Sequence, residues 1–339
     1  MASFVDTPAG RVPVVRTRPT WTDRVGTCRV RLGLSRDLYA VPPGLYAVGN
    51  PHPESPVLVT ANYKLSFDTL RFSLQGRNAW ILVTDTRGIN VWCAGGKGLF
   101  SSGTVSEIIR SSSLDRVVSN RMLILPQLSA NGVRAADIRR ATGFDAVFGP
   151  VRAEDLPSFL DGGMRAFPAM RATSFGLRER AVLIPVELVL LWKFLALLLL
   201  ALLLLAAILP GPFGLWWSRL NPVLTASLAG IVGGTVLVPL LLPFMPLRHF
   251  SVNGALLSAL VWIVLQSPIP GLPIQYRLGL GLWATALGSW QALSFTGSTT
   301  FTSPSGVERE MRRAIPFIGA GGLIALALAA WGLIGWSMQ

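Results

Sequence analysis

The chain has 339 residues, 51% of them hydrophobic, and carries 30 Lys+Arg against 17 Asp+Glu for a net charge of +13. Two cysteines exclude a disulfide framework and an iron–sulfur cluster held by this chain alone, which needs four thiolates; His52 and His249 are too few for a histidine triad or a histidine-rich metal site. The arginines are scattered, without aromatic interleaving or a nucleic-acid module, so no nucleic acid is expected as a partner, and an anionic membrane leaflet suits the charge better.

Residues 1–50 are rich in Pro, Arg and Gly and read as an extended lead-in, with one short strand over Arg29–Leu34 and Cys28 as a bystander. An α/β domain is expected over 51–165. Val57–Thr60, Trp80–Thr84, Met122–Leu125 and Ala146–Phe148 are short apolar runs that read as buried strands. Ser66–Gly76, Gly103–Ser111, Val133–Thr142 and Asp155–Leu160 read as the helices between and after them. Strand, loop and helix in repetition predict a parallel sheet with helices on its faces. The loops at the carboxyl ends of its strands, Thr60–Lys64, Asp85–Lys97, Gln127–Gly132 and Gly149–Arg152, then open on one edge, where such sheets bind ligands.

Residues 166–181 read as a linker, and the composition changes beyond them. Positions 1–181 hold 23 of the 30 basic and 14 of the 17 acidic residues. Membrane spans are expected near 182–209, 222–244, 252–266, 276–295 and 314–336, separated by Gly/Pro breaks at Pro210–Pro212, Pro243–Pro246, Pro268–Pro273 and Gly297–Gly306. No apolar run precedes Val182, so the first domain is expected to stay in the cytosol. Arg248 and Arg309/Arg312/Arg313 then fall inside, Arg219 and Arg277 outside, in agreement with the positive-inside rule. A multi-pass protein of the cytoplasmic membrane is the expectation.

Within the predicted site no G-x-G-x-x-G follows the first strand, and Gly95-Gly96-Lys97-Gly98 lacks the spacing and the hydroxyl of a phosphate loop. Glu107, Asp115 and Asp137 fall on helix surfaces. What is left is Cys93, between Trp92 and the small residues Ala94, Gly95 and Gly96, where bare backbone lets a large flat ligand approach closely. A buried structural cysteine is the alternative. A cofactor that carries the chemistry is the expectation.

Asn90-Val91-Trp92-Cys93-Ala94-Gly95-Gly96-Lys97-Gly98 resembles the signature of the mercury-methylating corrinoid protein (HgcA) family. Val57–Leu65, Leu125–Leu128 and Gly149–Leu156 resemble other blocks of its corrinoid domain, and of the corrinoid domain in the large subunit of the corrinoid iron–sulfur protein. Phe295–Val307 resembles the loop before its last span; Gly95 stands where that family more often has alanine. The resemblance implies a Rossmann-like corrinoid-binding domain followed by an all-α transmembrane domain of about five helices. It implies a corrinoid of the cobalamin type, with the Cys93 thiolate as lower axial ligand to cobalt and as the catalytic residue. Asn90, Val91, Trp92, Ala94, Gly95, Gly96 and Lys97 would form the cap that holds the sulfur, with Trp92 as its anchor or as plain core packing. Thr60, Asn62, Tyr63, Gln127, Leu128, Ser129, Gly132, Gly149, Pro150 and Arg152 would contact the cofactor. The implied activity is methyl transfer to Hg(II), forming methylmercury, with a small ferredoxin carrying two 4Fe–4S clusters as electron donor and a methyl-tetrahydrofolate-linked methyl donor. The same scaffold passing methyl to another acceptor, or a non-enzymatic membrane protein with a nucleotide-binding domain, are the alternatives.

Overall fold

Seven strands, β1 (Ser3–Thr7), β2 (Gly10–Val15), β3 (Gly44–Val48), β4 (Val57–Ala61), β5 (Ala79–Thr84), β6 (Met122–Leu125) and β7 (Asp145–Phe148), make one sheet in the order β1-β2-β3-β5-β4-β6-β7. They belong to a computed structural model that describes residues 3–208, 213–245, 247–266, 272–299 and 301–337. The chain divides into two compact units, Met1–Ser174 and Phe175–Gln339.

β5, β4, β6 and β7 run parallel, as the apolar runs predict, but the sheet as a whole is mixed. β3 lies antiparallel against β5, and β1 and β2 form an antiparallel hairpin. The first fifty residues are therefore not a lead-in. They supply three strands and a helix, α1 (Trp21–Arg31), whose last three residues take up half of the stretch expected to be a strand at Arg29–Leu34.

Every residue of β4 and β5 is buried, which explains their unbroken apolar character: helices cover both faces. On one face Val59, Leu82 and Leu125 pack with Phe100, with Val105 and Ile109 of α4 (Ser102–Ser111) and with Ile138 of α5 (Ala135–Thr142). On the other, Leu58, Ile81 and Ile124 meet Phe67 of α2 (Lys64–Ser73) and Phe159 of α6 (Leu156–Asp161). A further short helix, α3 (Val91–Gly96), follows β5.

α1 buries only Val30. Local capping and charge hold it instead. Thr20 and Asp23 form a reciprocal capping box, and Asp23 then pairs with Lys64 at 3.0 Å and Arg71 at 2.8 Å, both on α2. Arg71 also pairs with the buried Asp68 at 2.8 Å and donates to the Arg16 carbonyl. Burial alone would raise the Asp23 carboxyl, but hydrogen bonds from the Thr20 amide and hydroxyl, Lys64 and Arg71 outweigh it and hold the group well below the usual carboxylate range.

The second unit is helical: Ile184–Leu190, Trp192–Ile208, Phe213–Ile231 continued through a π-turn at Val232–Leu237, Phe250–Gln266, Ile274–Phe295 and Pro304–Ser337. Two stretches among the described residues, Trp217–Phe244 and Ser305–Gly335, are long and apolar enough to cross a membrane. Leu177–Leu190 and Trp192–Ala201, bent by 41°, make a third if taken as one span. Among the described residues two to three stretches, not the expected five, reach that length and apolarity. Phe250–Gln266 is short, and glycines and Gln291 dilute the apolar character of Ile274–Phe295. The breaks expected at Pro210–Pro212 and Pro268–Pro273 fall largely outside the described residues.

Those glycines set the packing. A Cβ on Gly288 would lie 1.7 Å from Ser258 Oγ, and Cβ atoms on Gly234 and Gly254 would each lie 2.3 Å from the Gly288 carbonyl oxygen. Backbones therefore meet directly, the small-residue contact that apolar surroundings favour. Two charged groups inside this unit are paired: the buried Glu310 accepts from Ser251 N at 2.8 Å and Ser251 Oγ at 2.9 Å, and Arg180 donates to the carbonyls of Pro239 and Leu240.

Candidate functional site

From β4 the chain goes to β5 on one side, then returns past β4 to place β6 on its other side. The loops leaving β4 and β6 separate at that switch point, and the crevice beyond their carboxyl ends is where such sheets hold ligands. A cavity of about 500 Å³ lies there. Its floor is the ends of β4 and β6, from Leu58 to Thr60 and from Ile124 to Pro126. Ser66, Thr69 and Leu70 of α2 form one wall, and Asn90, Val91 and Trp92 at the start of α3 another. The Gly149–Val151 loop after β7 closes a third side.

Each wall has a local cause. Asn62 locks the loop after β5: its Oδ1 accepts from Thr86 N at 3.0 Å, Thr86 Oγ1 at 2.9 Å and Gly88 N at 2.9 Å, and its Nδ2 donates to Asp85 Oδ1 at 3.0 Å. That loop delivers the chain to Asn90, whose Oδ1 accepts from Cys93 N at 2.9 Å and caps α3. Val91, Ala94 and Gly95 are the buried face of α3, while Trp92 is 40% exposed and Cys93 is exposed. Beneath α3 the chain passes very close: a Cβ on Gly132 would lie 2.3 Å from the Phe100 carbonyl oxygen and 3.0 Å from that of Gly95. Gly95 itself has ordinary room: a Cβ there would have as its nearest neighbour the Leu128 carbonyl oxygen, 3.6 Å away.

The expected site residues thus separate into groups. Thr60, Tyr63, Asn90, Val91, Trp92, Leu128, Gly149 and Pro150 line the cavity. Asn62, Ala94, Gly95, Ser129 and Gly132 belong to the scaffold around it; Ser129 Oγ donates to the Pro126 carbonyl at 2.8 Å. Cys93, Gly96 and Lys97 lie on the exposed side of α3, outside the cavity lining. Gln127 accepts from Arg171, and Arg152 donates to Ser174, so both are engaged by the end of this unit.

Two lining residues come from the stretch taken as a lead-in: Arg31, at the end of α1, and Arg36. The Thr20–Asp23 spacing is the one sequence signal that marks α1, and with it their placement. Burial raises the Tyr63 phenol, and a hydrogen bond from Arg36 together with the charges of Arg36 and Arg31 acts against that rise. Among the described residues no carboxylate lines the cavity, and no three His, Cys, Asp or Glu side chains gather to hold a metal ion.

Residues 35–160 match the CdhD family, described as CO dehydrogenase/acetyl-CoA synthase delta subunit. The gamma subunit of the acetyl-CoA decarbonylase/synthase complex from Methanopyrus kandleri is 34% identical over 128 residues, which is 37% of this chain and 27% of that protein. The gamma subunit from Methanocaldococcus jannaschii is 36% identical over 125 residues, 36% of this chain and 25% of the relative. That from Archaeoglobus fulgidus is 32% identical over 123 residues, again 36% of this chain and 26% of the relative. The chain spans about a quarter of the length of these relatives, and the CdhD match takes in α3 and every cavity-lining residue except Arg31 and ends before the helical unit.

Proposed function

We propose that the first unit binds a corrinoid and that the protein is a corrinoid-dependent methyl carrier. The observation that carries this reading is the pairing of a largely apolar cavity at the switch point with an exposed cysteine on the adjoining α3, inside the segment that matches CdhD. A corrin ring with its amide side chains is bulkier than a 500 Å³ cavity, whereas a nucleotide-sized tail fits one. The residues suit both parts: the cavity for the tail, the exposed face of α3 for the ring.

When bound, a corrinoid supplies a cobalt that accepts and releases a methyl group. The chain's own contribution is positioning. Asn90 fixes the turn that presents Cys93, and the packed Ala94–Gly95 face keeps that turn rigid. Cys93 would hold the cobalt through its sulfur, an electron-rich donor of the kind that tunes metal reactivity. Lys97 is exposed just past the end of that short helix, within the segment that would meet amide side chains of the ring.

The finer reading is methylation of Hg(II), with electrons from a small ferredoxin bearing two 4Fe–4S clusters and methyl from a methyl-tetrahydrofolate-linked donor. The helical unit would hold the protein in the cytoplasmic membrane with the first unit in the cytosol; its two to three apolar spans support the anchoring. Transfer to a different acceptor is the second reading, favoured by relatives named for acetyl-CoA decarbonylase/synthase.

The test is the absorption spectrum of the detergent-solubilised full chain loaded with aquacobalamin, wild type beside Cys93→Ala. Bound corrinoid with cobalt bands displaced by the substitution supports Cys93 as ligand; identical spectra refute it. Production of methylmercury by the reduced, methylated protein separates the two acceptors.

A further inference from the structure

The cavity's charge is one-sided. Its lining holds two guanidinium groups, Arg31 and Arg36, and no carboxylate, beside apolar and hydroxyl-bearing side chains. The arginines reach it by a specific route. α1 is pinned to α2 through Asp23, Lys64 and Arg71, which fixes where its last turn ends. Gly33, at φ 78°, and Ser35, at φ 57°, then turn the chain back so that Arg36 meets the same cavity as Arg31. A non-glycine residue in that left-handed region is strained, and the fold accepts that strain here next to a ligand-sized space. Tyr39 follows; its carbonyl accepts from Lys64 N at 2.9 Å, and Val41 N donates to the Asn62 carbonyl at 2.8 Å, so the chain leaving the turn is tied to the loop after β4. Neither arginine pairs with a carboxylate among the described residues.

An apolar and hydroxyl-lined space with two guanidinium groups that have no carboxylate partner among the described residues matches a ligand with a mostly neutral body and one anionic group. The planar donors of arginine suit a phosphodiester, which accepts two parallel hydrogen bonds. We infer that Arg31 and Arg36 bind the phosphodiester of a corrinoid's nucleotide tail and so select complete corrinoids over those lacking the tail. This rests on the corrinoid reading above.

The test compares equilibrium binding of aquacobalamin, cobinamide phosphate and cobinamide to the detergent-solubilised full chain, by tryptophan quenching, for wild type, R31Q and R31Q/R36Q. Wild type is expected to prefer cobalamin and cobinamide phosphate over cobinamide. The double variant should lose roughly 10- to 100-fold in affinity for the two phosphate-bearing ligands, the scale of losing charge-assisted hydrogen bonds, while binding cobinamide within about twofold of wild type. R31Q, which leaves the Arg36–Tyr63 contact intact, should shift the same way by less. Unchanged preference in the double variant overturns the inference, as does an equal loss for all three ligands, since the arginines would then serve the fold. Equal wild-type affinity for all three ligands also overturns it while leaving the corrinoid reading standing; no binding of any of them by wild type brings down both.

Discussion

Replacing Asn62 with alanine removes the acceptor that three donors share and the donor to Asp85. Thr86 N is buried and would be left without a partner, at a cost of about 1–3 kcal/mol; Gly88 N is half-buried, so water replaces part of what it loses, and the Asp85 contact adds about 1 kcal/mol. The expected local cost is about 2–4 kcal/mol, and it falls on the loop from Asp85 to Asn90 that positions α3. Hydrogen exchange reads such local opening directly, and the amides of Thr86 and Gly88 should exchange roughly 30- to 700-fold faster. Asn62→Asp refines the test. It keeps one acceptor oxygen but puts the other where Nδ2 stands, 3.0 Å from Asp85 Oδ1. Two carboxylates at that distance raise the folded-state pKa of the pair, so the variant should be close to wild type in acid and should lose stability as pH rises through that raised value. Unchanged exchange at Thr86 and Gly88 in Asn62→Ala would refute the assignment of Asn62 as the clamp of this loop.

Gly132→Ala should lower the melting temperature of the first unit, because both neighbours of the new methyl, the Phe100 and Gly95 carbonyl oxygens, are backbone and cannot swing aside; a cost of about 1–3 kcal/mol is expected. Gly95→Ala meets only ordinary contacts and should leave the melting temperature equal or higher, since alanine favours a helix by up to about 1 kcal/mol. In the helical unit, Gly288→Ala should abolish a monodisperse elution from size-exclusion chromatography in detergent, and adding Ser258→Gly should recover part of it. Asp23 contributes stability that is fully present above its ordinary value of 3.8 and fades as pH falls toward its depressed folded value, so the stability gap between Asp23→Asn and wild type should be full at pH 6 and narrow steadily as pH falls below 3.8.

The parallel strands were legible because a strand covered on both faces must be apolar throughout. Val57–Ala61 and Ala79–Thr84 carry that signature, and their carboxyl-end loops lead to the cavity without further information. α1 was not legible because its hold is ionic and distant: one buried valine gives no period, and its partners Lys64 and Arg71 lie 41 and 48 positions beyond Asp23. Arg31 and Arg36 were lost with it. β3 hides for a different reason, being a short run directly after Pro42-Pro43. Asn62 looked like a ligand contact because a polar residue at a strand's end is ambiguous until its partners are known, and those partners lie some 24 residues on, in the next strand's loop. In the second unit, hydropathy located the helices but not their lengths, and Gly288 is invisible to a scale that weighs each residue by itself.

The strand order has a consequence for the order of assembly. β3 can join the sheet only after β5 exists, and β4 is flanked completely only once β6 has been made. The hairpin of β1 and β2, though earliest in the chain, therefore waits for an edge to pair with. Yet all seven strands precede Leu177, where the first of the apolar helical stretches begins. Because domains fold as units with the N-terminal one first during synthesis, the sheet and its cavity can form before any apolar helix is available to compete for their exposed strands.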